Sequence, residues 1–118
     1  MKRTFISTSL FDKSWSKMGL TDNELRELEN YLLENPSAGN IIKGTGGATK
    51  LRWALPDTGK RGGLRIIYID VIMSHHLYFL LCYPKAKQES LTNNEKSEIS
   101  AAIHRIIENE REMMNNER

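Results

Sequence analysis

The stretch KLRWALPDTGKRGGLRIIYIDVI, residues 50–72, is where the hydropathy period of this chain becomes two. Leu51, Trp53 and Leu55 alternate with Lys50, Arg52 and Ala54, the pattern of a half-buried strand with its basic side chains on the open face. Pro56-Asp57-Thr58-Gly59 is turn chemistry, and Gly62-Gly63 is a second flexible point. Leu64 to Ile72 then reads as a strand rich in β-branched residues. Met73-Ser74-His75 reads as a turn and His76 to Tyr83 as another strand. Both later strands are apolar at nearly every position, as expected of central strands covered on two faces. The short connections predict an antiparallel meander.

Upstream, Thr4 to Ser9 reads as a short first strand. Phe11, Trp15 and Met18 recur at near-helical spacing before Gly19. Thr21 and Glu24 form a capping box, Leu20 and Leu25 stand at the staple positions, and Leu25, Leu28 and Leu32 make an apolar stripe that Asn35-Pro36 ends. Downstream, Thr92 and Glu95 open a last helix, with Ile99, Ala102, Ile103, Ile106 and Ile107 on one face. The polar tail, 109–118, is expected to fray. The order β-α-α-β-β-β-α predicts an α+β fold, with residues 1–118 as a single domain.

Composition supports one small core. The 118 residues are 39% hydrophobic and 27% charged, enough to fold without disulfides or a structural metal. The single cysteine, Cys82, excludes an intrachain disulfide and a paired-cysteine zinc site, and its apolar strand predicts an inert core thiol. No run approaches the ~20 apolar residues of a membrane span, and the N-terminus is a poor signal peptide; a cytoplasmic protein that does not bind membranes is expected.

Charge is unevenly spread. Residues 43–65 hold Lys43, Lys50, Arg52, Lys60, Arg61 and Arg65 against Asp57, a window of +5 in a chain of net charge +2. That concentration points to an anionic partner at one place, or to a basic solvated loop. Gly44-Thr45-Gly46-Gly47 is a structural turn or a backbone cradle for phosphate, but it lacks the ending of a P-loop. Pairing 50–55 with 64–72 would bring Lys60, Arg61 and Arg65 towards Lys50 and Arg52, a cluster suited to nucleic-acid backbone or a pentavalent phosphorane. Tyr83 ends the last strand, where its ring could stack on a base or its hydroxyl exchange a proton. Lys85 and Lys87 follow it. His75-His76 reads as a turn pair rather than a chelate, since strand neighbours face opposite ways. Asp70, within an apolar strand, calls for an edge position or a basic partner.

The blocks Ile41-Ile42-Lys43-Gly44-Thr45-Gly46-Gly47, Lys50-Leu51-Arg52 and Gly59-Lys60-Arg61-Gly62-Gly63-Leu64-Arg65-Ile66-Ile67-Tyr68 resemble the RelE/ParE toxin superfamily, and most closely its HigB branch. The likeness continues through Tyr78-Phe79-Leu80-Leu81-Cys82-Tyr83-Pro84-Lys85 and covers most of residues 20–108. It implies the toxin of a bacterial type II toxin–antitoxin module. Such a toxin enters the ribosomal A site, against the 16S rRNA, and cuts mRNA there without a metal or other cofactor. The 2′-hydroxyl attacks the adjacent phosphate in line. On this resemblance Arg65 and Arg61 stabilise the phosphorane, Lys60 or Lys50 is a candidate base, and Tyr83 stacks or transfers a proton. Lys43, Lys50, Arg52, Lys85 and Lys87 hold RNA. Thr49 departs from relatives that carry a basic residue there. The implied partner is a cognate antitoxin, in such modules often a helix-turn-helix protein from the adjacent gene. Two alternatives stand beside this reading: a ParE-like inhibitor of DNA gyrase that cuts no nucleic acid, and an inactive RNA-binding relative.

Overall fold

A computed structural model describes residues 2–54, 63–88 and 90–116. Strand β1 (Thr4–Ser7) leads into helix α1 (Ser9–Lys17) and helix α2 (Asp22–Glu34). Strands β2 (Asn40–Ile41), β3 (Thr49–Trp53), β4 (Leu64–Val71) and β5 (His76–Pro84) follow, then helix α3 (Asn93–Asn116). The five strands form one sheet in the order β1-β5-β4-β3-β2. The meander β3–β4–β5 is antiparallel as expected, and the apolar strands β4 and β5 lie inside the sheet.

Two features were not read from sequence. The first strand joins parallel to β5, with Phe5 opposite Leu77. The two-residue β2 adds an edge beside β3, with Asn40 opposite Lys50. It is too short to carry a periodicity.

Local chemistry sets the helix starts. Thr8 ends β1 and caps α1, its hydroxyl accepting from the Phe11 N–H at 3.1 Å. Thr21 and Glu24 make the expected reciprocal capping box. Thr92 and Glu95 do the same at α3, and the N–H of Thr92 holds the Glu95 carboxyl below its ordinary range.

Each sheet face has its own core. Helices α1 and α2 bring Phe11, Trp15, Leu28 and Leu32 against Leu51, Leu64, Ile66, Tyr68, Leu77, Phe79 and Cys82. Phe5, Phe79, Phe11 and Trp15 form a continuous stack, with centroid separations of 5.8, 4.9 and 5.6 Å in that order. On the other face, Ile99 and Ile103 of α3 pack with Ala48, Ile67, Ile69, Val71, Leu80 and Tyr83. Cys82 is a core thiol, and burial together with Asp12 pushes its pKa up to about 12. Asp70 has the basic partner its strand required: the Arg3 guanidinium donates to both carboxylate oxygens, at 2.8 and 3.0 Å.

The described residues after Glu108 are helical. Helix α3 continues through Asn116, and Glu110 is only 2% exposed. One Glu110 oxygen accepts from the Tyr78 hydroxyl and faces His76 Nδ1 at 2.6 Å. This clasp fastens the last turns of α3 to the start of β5. Burial raises the Glu110 pKa, but hydrogen bonds from Tyr78, His76 and Ser74 outweigh it and hold it below the ordinary value of 4.5. A lowered carboxyl stabilises the fold above its unfolded pKa and loses that contribution as pH falls through its folded value. Thermal melting should therefore show an acid-side loss of stability that Glu110→Gln reduces. Glu110→Ala should cost about 1–3 kcal/mol at neutral pH by stranding buried donors.

Gly63 joins β3 to β4 with φ +64°, and a Cβ there would lie 2.2 Å from the Trp53 carbonyl oxygen. Chemical denaturation should show Gly63→Ala less stable by about 2 kcal/mol or more, from backbone strain together with that clash.

Candidate nucleic-acid interface

Register decides which basic side chains meet. Arg52 of β3 stands opposite Arg65 of β4, and Arg65 stands opposite Tyr83 of β5. The three form one row across the sheet, on the face that α3 covers farther along. Neighbouring strands lie about 4.8 Å apart, so the row spans about 10 Å. Lys50 is two residues from Arg52 on the same face of β3, opposite Ile67. The pairing expected of the 50–55 and 64–72 segments is thus present, and it brings together Lys50, Arg52, Arg65 and Tyr83.

These side chains differ in exposure. Arg52 is exposed and Lys50 half-buried, whereas Arg65 and Tyr83 are 3% and 4% exposed. Arg65 Nη1 reaches back to the Leu64 carbonyl at 3.4 Å. Two guanidinium-bearing residues stand directly opposite on adjacent strands, where an anion held between them would gain from both.

The turn after β5 is tied to the same end of the sheet. The Lys85 N–H donates to the Gly63 carbonyl at 3.1 Å, and the Lys87 N–H donates to the Pro84 carbonyl at 3.0 Å. Both lysine side chains are exposed. A cleft of about 440 Å³ is lined by Tyr83 together with Ser14 and Lys17 of α1 and Lys87 and Gln88 beyond β5. Lys17 escaped the sequence reading. Its available signal was a lone cation in the last turn of α1, and only the packing of α1 on β5 brings it to the cleft that Tyr83 also lines.

Other candidates fall elsewhere. Lys60 and Arg61 lie outside the described residues. Lys43 is exposed at the opposite end of β3, where the Ile42 N–H bonds to the Ala48 carbonyl. Ala48 is four residues from Arg52, about 13 Å along a strand. The glycine segment 44–47 is the structural turn. The buried Thr45 hydroxyl donates to the Ile42 carbonyl at 2.6 Å and accepts from the Ala48 N–H at 3.0 Å, closing the loop on itself. His75 takes φ 60° in the turn before β5, and His104 is exposed on α3. His76 opens β5, seven residues from Tyr83 and about 23 Å away along the strand. Among the described residues, no group of three or more histidine, cysteine or acidic residues could hold a metal ion.

The structure is similar to the free state of the E. coli toxin RelE carrying two arginine-to-alanine substitutions. The TM-score is 0.53 at 19% identity, and the match covers 75% of this chain and 90% of that one. At that identity the likeness speaks for the fold. The sequence itself matches the family model described as the RelE toxin of the RelE/RelB toxin–antitoxin system over residues 2–117, and the chain therefore belongs to the RelE toxin family.

Proposed function

We propose that this RelE-family toxin is a ribosome-dependent mRNA endonuclease of the HigB-like branch, a single-domain, cytoplasmic protein that cuts translated mRNA in the ribosomal A site and so inhibits translation. The observation that carries the reading is the row Arg52–Arg65–Tyr83, with Lys50 beside it on the same sheet face. Metal-independent scission needs the 2′-hydroxyl held in line with the adjacent phosphate, a base for that hydroxyl, an acid for the leaving oxygen, and cations for the phosphorane. Arg65 offers a planar fork to two equatorial oxygens, and Arg52 supplies a second cation one strand away. Lys50 neutralises the neighbouring backbone. Tyr83 offers a ring for stacking and a hydroxyl for proton transfer at the far end of the row. Lys60 and Arg61 complete the proposed catalytic set. Lys85 and Lys87 extend the basic surface along the RNA. Lys43 is the weakest member, because it sits at the other end of β3. A cognate antitoxin from a neighbouring gene is the proposed regulator, acting by covering this surface or by blocking ribosome entry.

One observation favours the ParE-like reading of a gyrase inhibitor that cuts no nucleic acid: Arg65 is 3% exposed, so the free protein does not present it to solvent. The two readings part in a reconstituted translation system. Arg65→Ala and Arg65→Lys should both lower ribosome-dependent mRNA cleavage by about 100-fold or more, with folding checked by circular dichroism. Toxicity that persists in these variants with intact mRNA would favour gyrase contact instead. In binding assays with a short single-stranded RNA, Arg52→Ala should reduce the salt slope by about one, whereas Lys43→Ala should leave it unchanged.

A further inference from the structure

Away from the basic row, three of the chain's five methionines line one small pocket together with a histidine. A pocket of about 260 Å³ is lined by Met73, Ser74, His76, Glu110, Met113 and Met114. Met73 comes from the 3₁₀ turn Ile72–Ser74, His76 from the start of β5, and Met113 and Met114 from the last turns of α3. All three methionines are exposed, which is unusual for so apolar a side chain. The histidine is the better clue. Its Nδ1 lies 2.6 Å from a Glu110 oxygen, and Glu110 is buried. An acceptor carboxylate there places the proton on Nδ1 and leaves the Nε2 lone pair for another ligand. A carboxylate behind an imidazole is the support that metal-bound histidines generally have.

The donor set selects the ion. Thioethers are soft and neutral, and with an imidazole they suit Cu(I) rather than Mg(II), Ca(II) or a structural Zn(II) site built on thiolates and carboxylates. The Glu110 charge behind the ring balances a monovalent cation. We propose that Met73, Met113, Met114 and His76 form a binding site for Cu(I). This site is independent of the nuclease reading: it sits at the opposite end of β5. The thiol of Cys82 is no rival, since it is buried in the core formed with α1 and α2.

The test is an anaerobic titration of the whole chain with Cu(I) against a chromogenic chelator, followed in parallel by NMR of methyl-labelled methionine. One equivalent should bind, shifting the methyl signals of Met73, Met113 and Met114 and leaving that of Met18 in place. The double variant Met113→Leu/Met114→Leu conserves volume and apolarity, and should fold while losing at least about tenfold in affinity. Glu110→Gln should weaken binding by about 10-fold or more through the histidine it positions. Cys82→Ser should bind as the wild type does. Unchanged affinity in the methionine double variant, loss of binding in Cys82→Ser, or tighter binding of Zn(II) than of Cu(I) would overturn the site.

Discussion

The strand register of β3, β4 and β5 is the constraint on which the rest of the molecule depends. Side chains alternate faces along a strand, so a slip of one residue in β4 would send Arg65 into the α1/α2 core and turn Ile66 outward. Two buried faces hold the register in place. Leu64, Ile66 and Tyr68 face α1 and α2, while Ile67, Ile69 and Val71 face α3. Between them Arg65 is the one strongly polar member of the run from Leu64 to Ile69, and it is 3% exposed.

An irregularity in β5 adds a second layer to this constraint. Ile67 pairs with Leu81 but Tyr68 pairs with Phe79, so Leu80 is an extra residue in the ladder. Tyr78 and Tyr83 are five positions apart and would face opposite ways in a regular strand. The bulge puts both on the α3 face, Tyr78 to meet Glu110 and Tyr83 to join the arginine row. One added residue thereby lets a single strand serve the fastening of α3 at one end and the basic row at the other.

Much of this was legible in the sequence, for identifiable reasons. The capping boxes at Thr21 and Thr92, the period-two pattern of Leu51 and Trp53, and the apolar runs of β4 and β5 are local signals, and each produced the expected element. The meeting of Lys50, Arg52 and Arg65 followed from the hairpin pairing. What was hidden depended on contacts distant in sequence. Strand β2 is too short to show a period. The parallel seat of β1 rests on the stacking of its Phe5 on Phe79, which lies more than 70 positions away. Glu110 read as part of a polar tail because its partners, His76 and Tyr78, lie more than 30 positions away. The bulge at Leu80 left no mark, since Leu80 and Leu81 are apolar in either register.

The two ends of β5 differ in what they ask of the fold. At the Tyr83 end, two arginines are placed opposite one another by the strand register and by the close approach that Gly63 permits. At the His76 end, a buried carboxylate is matched by donors from Tyr78, His76 and Ser74, and attraction supplies the fastening. About 23 Å of strand separates them, well beyond the 7–10 Å within which side-chain substitutions usually couple. Changes to the methionines around His76 should therefore leave the basic row undisturbed, and neutralising the arginines should leave the clasp intact. What joins the two is α3, which covers Ile67 and Ile69 between them.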